Sequence, residues 1–375
     1  MMNSRERFLE TLLFGRPDRV PFAPGHPRES TLRAWRGQGL DGSRPWMTCL
    51  YDALGIALPP AQPAVSLGVS LVMMPQFEEK VLERRGNHLI VQDWKGNVCE
   101  ISDEYDVTYL REAKDFVTRR WLRCPVETPE DLAQMKQRYH VDTPGRFPDD
   151  FADRCRRLKD RDYVLTVAFS GPFWQMREWC GFEGLCFAMI ERPEFVDEMA
   201  AFWTGFVAAV LERIFDRVAP DMIHISEDMA YKGHSMISPE MVRRFCSPAY
   251  DRWAGQARAA GVPLVDVDSD GCIDELIPLW IDSGVNVCDP IEVAAGNDIN
   301  IFRARHGRRM AYRGGVDKRA MAKGGRAIQR ELARIEPVVR DGGYIPSCDH
   351  GVPSDVSWPA YVDYSRQLAR MTGWL

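Results

Sequence analysis

The chain has 375 residues, of which 45% are hydrophobic and 27% are charged, a composition typical of a folded globular protein. A formal net charge of −6 argues against a nucleic-acid-binding protein and against binding to an anionic membrane. No apolar run approaches the length of about 18 residues that predicts a membrane span. The ten cysteines lack paired spacing, which indicates free thiols, so we expect a cytoplasmic protein without a signal peptide.

The amino-terminal part of the chain predicts an extension to the main fold. Ser4 can cap a first helix, and Gly15 can end it. Residues 20–22 predict a short first strand, and residues 87–102 predict a β-hairpin. Helical patterns follow near residues 128–140 and 148–160. We therefore expect residues 1–160 to form a helical and hairpin extension together with the first strand.

Beyond residue 160, short apolar runs alternate with amphipathic helical patterns. The runs lie at residues 163–169, 222–226, 262–267, 285–288, 309–312 and 344–346. A long helix is predicted over 193–218, and Ser238 followed by Pro239 predicts the start of another. Such alternation is typical of a parallel sheet covered by helices. With residues 20–22 it provides seven strands, and we expect a single (β/α)8 TIM barrel, with residues 161–375 as its main repeats.

Polar residues follow these predicted strands at each carboxyl end. They include Ser170, Glu227, Asp228, Asp268, Asp270, Asp289, Asp317, Cys348 and His350. In a parallel barrel these ends share one rim, where catalytic groups collect. The alternative interpretation is local, because Asp or Ser between a strand and a helix is also a good helix cap.

Three kinds of side chain at this rim indicate chemistry. Neighbouring carboxylates repel one another, so a crowded group needs a cation, a proton or a basic substrate. Cys348 and His350 are spaced for metal binding or acid–base work, although a loop histidine and a half-buried thiol would look the same. Trp174 and Arg177 are suited to line a substrate site, or simply to pack a helix on the barrel.

Several motifs resemble the uroporphyrinogen decarboxylase superfamily. They are the opening helix and the segment 15–22, the Ser238-Pro239 helix with Phe245 and Pro248, residues 314–317, and residues 343–353. The resemblance implies a (β/α)8 barrel. The superfamily contains true decarboxylases and zinc-dependent methyltransferases that move methyl groups between corrinoid proteins, thiols and methylated small molecules. The Arg-rich segment of the decarboxylases is absent here, where residues 23–29 read Ala-Pro-Gly-His-Pro-Arg-Glu.

The resemblance also implies a metal site. The methyltransferases bind zinc through a His-x-Cys pair, which aligns with Asp268 and Asp270, and through a later Cys, which aligns with His350 or Cys348. The candidate ligands of zinc or another divalent metal are therefore Asp268, Asp270, Cys348 and His350. Their chemistry is shifted from sulfur towards oxygen and imidazole.

By this resemblance the chain is closest to the methyltransferase-like branch. It would transfer a methyl group from a small methylated substrate to a corrinoid carried by a partner protein. Asp270, His350 and Glu227 would be catalytic, and Arg177, Trp174, Asp228 and Asp317 would bind the substrate. Two alternatives are a decarboxylase of a tetrapyrrole or smaller acid, and a non-catalytic tetrapyrrole- or corrinoid-binding protein. The sequence also leaves open whether the protein forms a homodimer.

Overall fold

The computed structural model describes residues 2–59, 66–105, 111 and 119–375. Its helices are Ser4–Leu12 (α1), Glu29–Arg36 (α2), Trp46–Leu54 (α3), Pro129–Lys136 (α4), Phe151–Arg157 (α5), Pro172–Cys180 (α6), Phe182–Glu191 (α7), Pro193–Phe215 (α8), Pro239–Phe245 (α9), Ser247–Ala259 (α10), Ile277–Asp282 (α11), Ile299–His306 (α12), Lys318–Lys323 (α13), Arg326–Asp341 (α14) and Trp358–Met371 (α15). Its strands are Lys80–Arg85 (β1), His88–Gln92 (β2), Val98–Ser102 (β3), Arg119–Arg123 (β4), Thr166–Ser170 (β5), Met222–Ser226 (β6), Leu264–Asp268 (β7), Val287–Asp289 (β8), Ala311–Val316 (β9) and Tyr344–Cys348 (β10).

The predicted hairpin is confirmed as the centre of a four-stranded antiparallel sheet in the order β1-β2-β3-β4. A buried carboxylate forms its turn, because Asp93 accepts hydrogen bonds from the backbone of Lys95 and Asn97, each 2.9 Å long. The outer strands β1 and β4 were not predicted. Their side chains are mostly charged and exposed, so they lack the apolar alternation that marks a half-buried strand.

The six apolar runs after residue 160 form one parallel sheet in the order β10-β9-β8-β7-β6-β5. The predicted α/β fold with a parallel sheet is therefore confirmed. The predicted strand at 309–312 is displaced and longer, since β9 spans Ala311–Val316. Ser238 caps α9 as predicted, accepting a hydrogen bond from the Met241 amide, whereas α1 is capped by Asn3 rather than Ser4.

Alternation along the strands gives this sheet two different faces. The outer face is apolar and packs against the helices in the main core. On the other side, which we call the inner face, residues at the first or second position of successive strands form a small apolar cluster. Its members are Met222, Leu264, Val287, Ala311 and Ile345, and Leu12 of α1 packs on them. Later positions on the inner face are polar, and they build the candidate site.

The structure differs from the predicted closed barrel. Within the described ranges, the six strands form an open sheet whose edges, β5 and β10, do not pair with each other. The predicted strand at 20–22 is irregular; further along this segment, Pro27 forms one isolated parallel bridge with Val352. Pro21, Pro24 and Pro27 lack the amide hydrogen that a strand ladder needs, which explains the missing strand. None of the described helices is long and apolar enough to cross a bilayer.

Candidate functional site

A layer of charged side chains lies on the inner face, next to the apolar cluster. His224 on β6 and Asp266 on β7 are register neighbours, and the His224 Nδ1 to Asp266 Oδ2 distance is 2.7 Å. Arg313 on β9 pairs with Asp289 on β8, and one of its nitrogens lies 3.5 Å from Asp266 Oδ2. Two cations thus interleave with two acids, and this inner layer is largely charge-compensated.

Opposite charges decide the protonation of the inner layer. Burial alone would lower the pKa of His224, but the hydrogen bond and charge of Asp266 outweigh burial and raise that pKa. Burial alone would raise the pKa of Asp266, but Arg313 and His224 lower it below its usual value. Asp266 and Asp289 each keep one buried carboxylate oxygen without a hydrogen-bond partner. The inner layer therefore keeps a constant arrangement of charges beneath the rim.

Three carboxylates converge at the carboxyl ends of β6 and β7. Asp228, Asp268 and Asp270, which we call the rim acids, each offer an oxygen, and these oxygens all lie within 4.8 Å of one another. Asp228 holds a left-handed backbone conformation with φ of 44°, and its Oδ1 accepts a hydrogen bond of 3.2 Å from the Asp270 amide. The ends of these two neighbouring strands therefore bring three carboxylate side chains close together.

Crowding makes the rim acids hard to ionise together. Burial, followed by the charge of Asp289, raises the pKa of Asp268. Burial and then the repulsion of Asp228 and Glu292 raise the pKa of Asp270 to about 7. Carboxylates in this arrangement favour a bound cation or a shared proton. Among the described residues, a second group with ligand atoms within 4.8 Å is His224, Asp266 and Asp289, but Arg313 already supplies its cation.

His350 extends the rim beyond the strand ends. Its Nε2 lies 3.6 Å from Asp270 Oδ2, so the structure brings these two predicted catalytic residues together. Burial and then the charge of Lys318 lower the pKa of His350. Lys318 itself lies 3.2 Å from a Glu292 oxygen and 3.9 Å from the buried Asp349. The histidine is thus placed between an acid and a cation at the mouth of the site.

Glu227 is turned away from the rim acids, although it precedes Asp228 in the sequence. It is fully buried, accepts a 2.9 Å hydrogen bond from the Trp174 amide, and accepts another from the Tyr250 hydroxyl. A side chain at Gly171 would come within 2.1 Å of this carboxyl group. Burial raises the pKa of Glu227 to about 7. The structure places Glu227 as the acid that anchors the start of α6.

The predicted substrate residues Trp174 and Arg177 lie on α6 beside the rim. Arg177 stacks over the Trp174 ring at 4.3 Å and donates a 3.0 Å hydrogen bond to the carbonyl oxygen of Asp228. This guanidinium therefore supports the loop that carries a rim acid. Trp174 is half-buried and lines a large cavity between α6 and the N-terminal extension.

Cys348 and Asp317 do not join the rim acids. The Cys348 side chain belongs to the outer core, where a side chain at Gly25 would come within 2.7 Å of its Cβ, and burial raises its pKa to about 12. Asp317 caps α13 through the Arg319 amide and pairs with the Arg319 guanidinium. For Asp317 the capping alternative describes the contacts, because the chain turns directly into a helix after β9.

Sequence reasoning overlooked the inner layer. Arg313, Asp266 and His224 were not among the predicted site residues. Alternation within the strands was the available signal, since positions 222 and 224, 264 and 266, and 311 and 313 point to the same face. The predicted end of β9 at residue 312 hid Arg313.

A comparison with solved structures finds proteins that align with this fold. Among solved structures, a methyltransferase from Methanosarcina mazei aligns over 98% of this chain and 99% of that chain, with a TM-score of 0.57 and 12% identity. A B12-independent methionine synthase from Shewanella sp. W3-18-1 aligns over 59% of this chain and 64% of that chain, with 11% identity and a TM-score of 0.37, which is too low to carry an argument. At these identities the first likeness supports the fold alone.

Sequence families give a more specific result. No curated protein matches the chain. The family model described as uroporphyrinogen decarboxylase (URO-D) matches residues 121–360, well over half of the chain and all nine residues expected at the site. The chain belongs to the uroporphyrinogen decarboxylase family.

Proposed function

We propose that this protein transfers a methyl group from a small methylated substrate to a corrinoid carried by a separate protein, with a divalent cation bound at the rim acids. The observation that carries the proposal is the convergence of the Asp228, Asp268 and Asp270 oxygens within 4.8 Å. Family membership and the structural likeness to a methyltransferase are consistent with it.

The donor set at the rim fits a cation that accepts oxygen ligands. Carboxylate oxygens suit magnesium, manganese and calcium, and zinc also accepts them. Cys348, which was a predicted ligand, does not fit, because its thiol lies in the outer core and its raised pKa disfavours the thiolate that binds metal. We therefore assign the ligands as Asp228, Asp268 and Asp270. A cation held there would supply Lewis acidity to the substrate heteroatom that carries the methyl group.

The chain's own residues position the substrate and deliver a proton. As the bond between the methyl carbon and the heteroatom breaks, its electron pair stays on the heteroatom, and the methyl group would pass to the partner's corrinoid, which in its reduced form would supply the electron pair of the new bond. His350, whose Nε2 lies 3.6 Å from Asp270 Oδ2, relays a proton to the heteroatom, because its lowered pKa makes the protonated ring a ready proton donor rather than a stable cation. Arg177 holds the Asp228 loop through its carbonyl oxygen.

We also propose that the parallel sheet is the continuous part of an eight-stranded barrel. Residues 20–28 and 66–73 would stand in the places of the two other strands. The bridge between Pro27 and Val352 puts the first segment just beyond the end of β10, and residues Gly68–Met73 line the cavity next to β5.

The ten cysteines are all unpaired, which suits a reducing compartment such as the cytoplasm.

An assay of methyl transfer tests this function. The purified protein is mixed with a reduced corrinoid protein and a methyl donor, either 2-methoxyphenol or trimethylamine, and the spectrum of the methylated corrinoid is followed. We expect Asp270→Ala and His350→Ala to abolish transfer while the free energy of unfolding changes by only about 1–2 kcal/mol. Conversion of uroporphyrinogen, or binding of a tetrapyrrole without any turnover, would contradict the proposal in favour of the two alternatives.

A further inference from the structure

A cavity of about 650 Å³ lies beside the rim, between α6, strand β5 and the N-terminal extension. This volume is within the range of about 300–1,000 Å³ found for small-molecule sites. Six aromatic residues contribute to its lining: Trp94, Tyr139, Phe169, Trp174, Trp179 and Trp203. None of the rim acids is among its lining residues, so the cavity adjoins the charged site without including those acids.

Three of these aromatic rings form a rigid wall. Tyr139, Trp179 and Trp203 are buried and pack edge to face, with ring centroids 5.4 to 6.0 Å apart. Edge-to-face packing at this spacing is favourable and fixes the ring orientations. The wall is therefore preformed and needs no rearrangement to receive a flat ligand.

Two further rings, Trp94 and Trp174, are half-buried and leave ring surface open to a ligand. Trp94 sits on the β2–β3 turn that Asp93 organises, and its carbonyl oxygen accepts a 3.0 Å hydrogen bond from the Phe77 amide. Trp174 is held through its amide by Glu227 and through its ring by Arg177. Both are thus positioned before any ligand binds.

Charge at the cavity indicates the kind of ligand. Lys95 and Glu178 are the two charged side chains among its described lining residues, and they form an ion pair with each other. Because these two charges compensate each other, the cavity offers no net charge to balance that of a charged ligand. A neutral ligand needs no such partner, and an aromatic ring matches the surrounding aromatic surface.

Helix α6 contributes side chains to both the cavity and the rim. Trp174 lines the cavity, and Arg177, one turn later, stacks on Trp174 and holds the Asp228 loop. We propose that this cavity binds an uncharged aromatic ring of the substrate, so that a methyl ether on that ring faces the rim acids. The assignment of the ring as part of a methyl donor rests on the proposed function, whereas ring binding itself can be measured separately.

Binding of 2-methoxyphenol to the metal-free protein tests this inference, by isothermal titration calorimetry and by quenching of tryptophan fluorescence. We expect saturable binding to one site, weakened about ten-fold or more by Trp94→Ala, because one face of the ring contact is lost. Trp121→Ala serves as the matched control, since Trp121 is exposed on β4 and does not line the cavity.

A second variant protects the test against misfolding of the first. Ala168 lines the cavity and is exposed on β5, so Ala168→Phe should fill the space and block 2-methoxyphenol without removing a core contact. Equal affinity in Ala168→Phe and the unmodified protein would overturn the inference, as would binding of tetramethylammonium at this site in place of the neutral ring.

Asp270→Asn separates this inference from the proposed function. It should keep 2-methoxyphenol binding while it loses methyl transfer, because Asp270 does not line the cavity. Methyl transfer from trimethylamine without any binding of 2-methoxyphenol would refute the aromatic cavity and leave the proposed function standing.

Discussion

Glu227 and Asp228 are adjacent in sequence and serve different purposes. The sequence predicts that both residues lie at the rim, because both directly follow strand β6. The structure separates them because Asp228 takes a left-handed backbone conformation, while the Glu227 side chain is buried beneath α6. A sequence pattern locates the strand end, but it does not give the direction of each side chain there.

The titration of Glu227 predicts a pH-dependent stability. Its pKa is about 7 in the folded protein, against an ordinary value of 4.5, so folding takes up a proton between these pH values. Its contribution is fully present below pH 4.5 and is lost as pH rises to about 7, by roughly 3 kcal/mol. Glu227→Gln should therefore flatten the fall in unfolding free energy between pH 5 and pH 7, measured by urea denaturation.

Glu336→Gln is the control for this measurement, because Glu336 is more exposed and pairs with Arg340 on the helix surface. It should reproduce the pH slope of the unmodified protein. A Glu227→Gln protein with that same slope would show that Glu227 is ionised in the folded state throughout this range.

At the scale of elements, apolar patterning predicted the parts of the fold that bury side chains. The six strands of the parallel sheet carry apolar side chains towards the outer core, so they stood out in the sequence. Strands β1 and β4 are charged and exposed, and the segment 20–28 is interrupted by three prolines, so neither follows a recognisable hydrophobic period. Their structure depends on neighbours that the local sequence does not reveal.

Close packing between β9 and the loop after β8 predicts a strong substitution effect. Gly314 has φ of +92°, and a Cβ there would lie 1.8 Å from the Pro290 carbonyl oxygen. Gly314→Ala should destabilise the protein by about 3 kcal/mol or more, since both the backbone conformation and the contact become unfavourable. Thermal and urea unfolding measure this loss.

Gly205→Ala provides the matched comparison in α8. A Cβ at Gly205 meets nothing within 4 Å, so alanine should stabilise the helix by roughly 0.5–1 kcal/mol. Equal effects of the two substitutions would contradict the packing described for β9.

In the whole molecule, the N-terminal extension packs against the carboxyl-terminal helix α15. Trp35 of α2 is fully buried, donates a 2.7 Å hydrogen bond to the Val356 carbonyl, and packs against Trp358 and Tyr361 of α15. Thr31 makes a second such bond to the Val352 carbonyl. Contacts over more than 300 residues of chain have no local signature, which explains why the sequence predicted the extension but not where it packs.

At this same scale, the proposed metal site requires strand ends that are far apart in sequence to meet at one cation. Isothermal titration of the metal-free protein with Mn²⁺ or Zn²⁺ tests it, alongside Asp268→Asn, Asp270→Asn and the control Asp274→Asn, a surface acid paired with Arg305. We predict one binding site, lost or weakened about 100-fold in the two rim variants and unchanged in the control. Equal metal affinity in all four proteins, or no binding at all, would contradict the account.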